Sequence, residues 1–434
     1  MNTNPSSTAL GKAEDVSEVV YGDDENPLQR NILRVPDLRE AMRLTEAKRK
    51  FDTRNWSKHE FVMHGAENGF VTDATRAGAL IDIVASVQSN YGTRDLRDAR
   101  YRQYAITAIN LMHKRPRQSR MMIPSRSGIA PYARPRGLIV AAPVSMGCRR
   151  FADMIVDALD DEPKSARVLT PHGMAEYLQL PVLRAQWPVD GKLPNLAQEI
   201  IGAVDTAFDT GYAITARAPM FRERDIVPAL CSLVAAFNVG LLVIERINTQ
   251  GVTPGAADSC WEALAHITRA TGVTILCLAT PGAAFSSIAR LPGALGAFTT
   301  TGITEIKRCQ SPRDPYWIAI CRSLFDGTVR IAGAEAMPDW FPGAAFELTL
   351  GYPSLLSKAL TALALQMLTV QSKAFNAEIF LKYGGQALTL YAPHVNVLKG
   401  YFSKVRYKDS TLLRHSDWLP LNEVARLHLV PELA

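Results

Sequence analysis

Gly137-Leu138-Ile139-Val140-Ala141-Ala142-Pro143-Val144-Ser145-Met146-Gly147-Cys148-Arg149-Arg150-Phe151 reads as a short apolar strand, a Pro/Ser/Gly turn and the start of an apolar-periodic helix. That order is the frame of a phosphate-binding loop, in which backbone amides and a helix N-terminus face an anion. The side-chain chemistry of such a loop is missing. Aligned on Gly147 as the second glycine of G-x-x-x-x-G-K-[ST], the first glycine is Ala142. The lysine that neutralises phosphate is Cys148, and the hydroxyl residue that holds Mg²⁺ is Arg149. Attraction by unpaired amides and the helix dipole survives these changes, because it does not come from side chains. Arg149 or Arg150 could also fold back onto a phosphate, since guanidinium forks fit phosphate oxygens.

Outward from this stretch the chain alternates strands and helices, the pattern of a mostly parallel sheet covered on both faces. Gly137 to Ala141 is the first expected strand and Arg149 to Leu159 its helix; Pro181 to Gln186 is the second strand. A helix near Asn195 to Phe208 carries Leu196, Ile200, Ile201, Val204 and Phe208 on one face. Val239 to Ile244 is a continuous apolar run that ends in Glu245, and Val273 to Leu278 is another that ends in Ala279-Thr280-Pro281-Gly282. Both ends fall on the carboxyl edge, where open α/β sheets bind ligands.

Before residue 137 the periodicity is helical. Pro36-Asp37 opens an expected helix to about Phe51. Thr72-Asp73 caps a second, with Ala77, Leu80, Ile81, Val84 and Val87 at helical spacing, and a third runs from about Asp95 to Met112. After the sheet region, Tyr316 to Phe325 is an aromatic-rich segment, and Ser354 to Gln371 is a strongly apolar helix in the place of a lid. The expected organisation is an acidic flexible tail (1–35), a helical N-terminal unit (36–112), a basic linker (113–136), an α/β domain (137–345), a lid-helix region (346–372) and a C-terminal extension (373–434).

Composition excludes several classes. With 47% hydrophobic and 21% charged residues in 434, the chain belongs with soluble globular proteins. It contains no run of apolar residues long enough for a membrane span and opens without a secretory pattern, so a cytoplasmic protein without membrane partners is expected. Six scattered cysteines make neither a zinc pattern nor a disulfide framework, and the eight histidines do not cluster, so no metal ligand is nominated.

The net charge of +6 matters less than its layout. From Lys114 to Arg136 every charge is positive, including Arg115, Arg117 and Arg120. A second basic group comprises Lys399, Lys404, Arg406, Lys408 and Arg414, interleaved with Tyr401, Phe402 and Tyr407, a mixture suited to phosphate contact and base stacking. A plain solvated face explains either group equally well.

Four segments together resemble the TniB/TnsC-type AAA+ ATPases that accompany DDE transposases. They are Leu180 to Leu193, with its Pro-x-Asp-Gly turn, and Leu241 to Asn248, similar to a Walker B strand. The others are Thr274 to Ala283, similar to a sensor strand and its Gly-Thr-Pro turn, and Gly351-Tyr352-Pro353-Ser354-Leu355 to Gln366, similar to the start of a lid helix. The resemblance covers about residues 130 to 370 and implies an AAA+-like P-loop sheet domain with a helical lid.

The resemblance also places Glu245 at the Walker B aspartate, Arg246 at the glutamate that polarises the attacking water, and Thr280 at the sensor. Arg246 cannot accept a proton at any working pH. Phosphoryl transfer relies on positioned charge and metal, and one missing electrostatic stabiliser costs about 10²–10³ in rate. The expectation is therefore a pseudo-ATPase with no cofactor, or with weakly bound ATP or ADP. Glu245 and Arg246 are as readily a strand-end salt bridge with a neighbour, and Thr280-Pro281-Gly282 a plain turn.

As implied by the resemblance, the partners are duplex DNA, a transposase and target-selection proteins. Subunits would associate side by side in a ring or filament, with a catalytically competent paralogue in the same complex, and Arg115, Arg117, Arg120 and Lys192 would contact phosphates. Two other readings stay open: an active P-loop ATPase with an unusual phosphate loop that regulates transposition, and a protein-binding scaffold without DNA contact.

Overall fold

In the computed structural model, residues 25–46, 52–113, 128–212 and 223–429 are described. Helices α1 (Pro27–Arg30), α2 (Leu38–Glu46), α3 (Lys58–Asn68), α4 (Ala74–Thr93) and α5 (Ala99–His113) precede strand β1 (Arg136–Ala141) and helix α6 (Cys148–Leu159). Strands β2 (Lys164–Thr170), β3 (Gly173–Gln179) and β4 (Val182–Gln186) follow, then α7 (Leu193–Phe208), α8 (Glu223–Ala236), β5 (Leu241–Ile247), α9 (Ala256–Thr271) and β6 (Thr274–Ala279). Beyond them come α10 (Pro281–Ser286), α11 (Pro292–Phe298), β7 (Ile303–Glu305), α12 (Pro315–Gly327), α13 (Phe341–Thr349) and α14 (Pro353–Thr369). The chain closes with α15 (Ala377–Ala387), α16 (Ala392–Phe402), α17 (Asp409–Leu413) and α18 (Leu421–Leu429).

The main sheet has five parallel strands in the order β4-β5-β6-β1-β7. One strand, β6, therefore separates the loop-bearing β1 from the acid-bearing β5, in register from Arg136 opposite Thr274 to Ala141 opposite Ala279. Central strands β1, β5 and β6 are almost wholly buried, which is why they read as unbroken apolar runs. This parallel sheet, with the phosphate-type loop after its first strand and helices packed around it, is the parallel α/β architecture expected from sequence.

The N-terminal helices share the sheet's hydrophobic core. Helix α4 starts at Asp73, whose carboxylate accepts the Arg76 amide, and ends against the amino edge of the sheet. There the Asn90 amide donates to the Gly240 carbonyl and the Tyr91 hydroxyl to that of Asn238. Arg94, 1% exposed, donates to the Val239 carbonyl at 2.6 Å and to the Tyr101 hydroxyl at 3.1 Å. This buried guanidinium, held by a carbonyl, a hydroxyl and ring faces but with Nη2 left without a hydrogen-bond partner, ties these helices to the sheet.

Several expectations shift. Helix α5 begins at Ala99 rather than Asp95, because the Asp95 carboxylate holds the Arg97 amide in a local turn while the Asp98 carboxylate caps the helix by accepting the Arg100 amide. Strand β5 runs through Glu245 to Ile247, past a break in register. Helix α3, closed by a capping box between Ser57 and Glu60, and the antiparallel β2–β3 hairpin were not foreseen.

Among the described residues no single helix is long and apolar enough to cross a membrane. All six cysteines are free, and five of them are buried.

Candidate functional site

The loop between β1 and α6 keeps the shape of a phosphate loop. Ser145 and Gly147 take left-handed φ values of 69° and 82°, and Gly147 opens α6 with no side-chain cap on the helix amides. Those amides and the positive end of the dipole face a cavity of about 840 Å³ between α3, α12 and α14. Gly147, Arg149 and Arg150 line one end of it, Lys358 stands on the lid-helix wall, and Phe70, Tyr316, Leu324 and Leu365 give an apolar interior.

The loop is pinned from behind. Arg76, with no exposed surface, donates to the Met146 carbonyl at 2.9 Å, to Asp73 at 2.5 Å and to the Tyr316 hydroxyl at 2.9 Å. The Ser354 amide at the head of α14 donates to the Ser145 carbonyl at 3.0 Å, and the Val144 amide donates to the Asp417 carbonyl at 2.8 Å. Ala142 still belongs to the sheet, its amide donating to the Ala279 carbonyl. Only the half of the loop from Met146 onward lines the cavity.

At the lysine position, burial pushes the Cys148 thiol up to about 11, so this group is neutral where a phosphate loop needs a cation. The Arg149 side chain is exposed; Arg150 is half-buried, and its buried Nε lacks a hydrogen-bond partner.

The acid at the strand end is engaged. Glu245, 5% exposed, accepts Arg184 Nη2 at 2.8 Å, while Nη1 of the same guanidinium donates to Asp153 of α6 at 2.6 Å. Arg184 comes from β4, the neighbour of β5, with Arg184 opposite Val243 and Gln186 opposite Glu245 in the ladder. A fixed organic cation thus sits between a carboxylate of α6 and one of β5. A hard divalent ion asks for several oxygens in octahedral array. Here Cys148 and Arg149 replace the lysine and hydroxyl, and Glu245 is already neutralised, so the residues do not fit Mg²⁺. Arg246 is exposed, with a left-handed φ of 64° at the register break.

Thr280 caps α10, its Oγ1 accepting the Ala283 amide and donating to the Asp417 carboxylate. Lys192 is exposed at the head of α7. Arg115, Arg117 and Arg120 lie outside the described residues. In the C-terminal basic group the cations Lys399, Lys404, Arg406 and Lys408 are exposed, but the aromatics turn inward. Phe402 lies 3.7 Å under the Arg308 guanidinium, the Tyr401 hydroxyl bonds Glu423, and Tyr407 packs its hydroxyl against Gly400. These half-buried rings thus make contacts within the protein.

The sequence brought forward Ala142, Gly147, Cys148, Arg149, Glu245, Arg246 and Thr280, and the fold gathers them at one sheet edge. It did not bring forward Arg76, Arg184, Lys358 or Asp417. Arg184 had one signal, a charge inside an otherwise apolar strand; its partners 31 and 61 residues away had none.

The strand order and the pinned loop define a parallel α/β sheet whose first strand leads into an altered phosphate-type loop. No protein-family model matches the chain, and no curated protein matches it. Among solved structures it is similar to the ORC2 protein of Aeropyrum pernix, described as ADPNP-ADP complexes, at 12% identity and a TM-score of 0.38 over 65% of this chain and 73% of that one. It is also similar to the Walker-type ATPase Paby2304 of Pyrococcus abyssi, at 11% identity and a TM-score of 0.36 over 63% of this chain and 71% of that one.

Proposed function

We propose that this chain is a non-hydrolysing AAA+-like protein that acts as an accessory factor of DNA transposition, assembling on duplex DNA and bridging it to a transposase. The observation that carries the non-hydrolysing part is the Arg184 guanidinium held between Asp153 and Glu245. It neutralises the carboxylate that a metal-dependent phosphoryl transfer requires, and the groups that would supply the ammonium and the proton acceptor are Cys148 and Arg246.

The cleft of about 840 Å³ supports ATP or ADP held weakly, with phosphates toward the α6 amides, Arg149, Arg150 and Lys358. Such a ligand steadies the fold without turnover. The transposition role rests on the four segments that resemble TniB/TnsC-type proteins, and the duplex contact on Lys192 with the basic residues 115, 117 and 120. Side-by-side association, with a competent paralogue in the same complex, supplies any energy-driven disassembly.

Phosphate release with Mg·ATP, with and without duplex DNA, tests the first part, and gel-shift titration at two salt concentrations tests the second. Background release together with binding that weakens steeply with salt is expected. Turnover that Glu245→Gln abolishes establishes instead an active ATPase with an unusual loop. No duplex binding at low salt leaves a protein-binding scaffold.

A further inference from the structure

We propose that His415–Leu421 is a proton-sensitive strap across the carboxyl edge of the sheet, and that the paired imidazoles of His394 and His415 loosen it as the pH falls.

The strap touches four strand ends. Asp417 accepts the Thr249 hydroxyl at 2.7 Å and the Thr249 amide at 3.2 Å after β5, and its other oxygen accepts the Thr280 hydroxyl after β6. Its carbonyl accepts the Val144 amide in the loop after β1. The Leu421 amide donates to Glu305 at the end of β7 at 2.7 Å, and the Tyr352 hydroxyl beside α14 donates to the Trp418 carbonyl. At Gly282 a Cβ would lie 2.7 Å from an Asp417 carboxylate oxygen and closer still to the Ser416 hydroxyl, so only glycine lets the strap seat.

Behind the strap, Trp418 stacks on His394 with centroids 5.2 Å apart, and the His394 and His415 Nδ1 atoms are 2.9 Å apart. Nitrogens at that distance share one proton, one ring donating and the other accepting. When both rings are imidazolium, two N–H groups and two charges meet. The surroundings add to the repulsion. Arg414 adjoins His415, and Lys358 of α14 sits 5.7 Å over the Tyr391 ring, which itself lies against Trp418. The nearest carboxylate in the chain, Asp417, is committed to the two threonines. Among the described residues no carboxylate bonds either imidazole.

Burial, His394 and Arg414 together hold His415 below its ordinary value, so the closed strap binds protons less readily than the open one. The sign follows. Closure is complete above the ordinary imidazole value of about 6.5 and weakens below it, by about tenfold per pH unit for one proton until the depressed value is passed.

Hydrogen exchange of the full chain, corrected for intrinsic rates and read on peptides covering 142–146, 247–251, 278–284 and 415–421, tests this. Protection in these peptides is expected to fall about tenfold from pH 7.5 to 5.5, with peptides of α4 unchanged. His394→Gln, or His415→Gln if the first does not fold, should keep protection at pH 7.5 and diminish its pH response, because a neutral amide can accept from imidazolium. Asp417→Asn should lower protection at both pH values. Equal wild-type protection at the two pH values overturns the proposal, as does an undiminished pH response in both glutamine variants. Unchanged protection in Asp417→Asn removes the clamp itself.

Discussion

Removing the Arg184 guanidinium probes the altered site most directly. Arg184→Met keeps the stem volume and deletes two charge-assisted hydrogen bonds, at 2.8 Å to Glu245 and 2.6 Å to Asp153. Each such bond contributes about 1.5–3 kcal/mol where solvent is largely excluded, and Glu245 is 5% exposed. The quantity to read is the coupling between Arg184 and Glu245, because single-variant costs include the penalty of the carboxylates left unpaired. Thermal unfolding of wild type, Arg184→Met, Glu245→Gln and the double variant should give a coupling of about 1.5–3 kcal/mol.

With an unfolding entropy of about 2.1 cal/mol/K per residue over 434 residues, that coupling corresponds to about 2–3 °C in Tm. The double variant should therefore lose about 2–3 °C less than the sum of the two single losses. Strict additivity of the two Tm losses would refute the bridge. Phosphate release that rises in Arg184→Met would refute the claim that Cys148 and Arg246 disable the site independently.

Other consequences are direct. Alkylation of Cys148 by iodoacetamide, followed by mass spectrometry, should be slow at pH 8 and rise about tenfold per pH unit toward 11, since the thiolate is the reactive form; a rate at pH 8 equal to that of a free thiol would contradict the burial. Gly65→Ala should lower Tm by several degrees, because its Cβ would overlap the Gly327 carbonyl. Gly78→Ala, with open space and a helical backbone, should instead stabilise by about 0.5–1 kcal/mol. Lys358→Ala should weaken fluorescent ADP binding several-fold while leaving Tm unchanged within a degree; equal affinity would move the phosphates away from the lid helix.

Much of the sheet could be read from sequence because each central strand is buried on both faces, so that Leu138 to Ala141, Leu241 to Ile244 and Ile275 to Ala279 had to be apolar throughout. Strand order and the placing of Glu245 beside Arg184 depend on crossovers, which leave no local trace. Two misses were legible. Ser57-Lys58-His59-Glu60 is a capping-box sequence, and Ala166 and Val168 alternate with Ser165 and Arg167 before a Pro171-His172-Gly173 turn. The altered phosphate loop was read from three positions, but its pinning was not, because Arg76, Ser354 and Asp417 reach it from remote parts of the chain.

Where Gly65 of α3 and Gly327 of α12 meet backbone to backbone, no side chain separates the two helices, and the Ser357 hydroxyl of α14 donates to the Ala66 carbonyl beside them. The three walls of the cleft are thereby riveted into a single fixed slot. A guest would slide into that slot rather than be gripped by a closing jaw, so its residence time should depend on its own contacts and the protein's scattering profile should stay the same on loading.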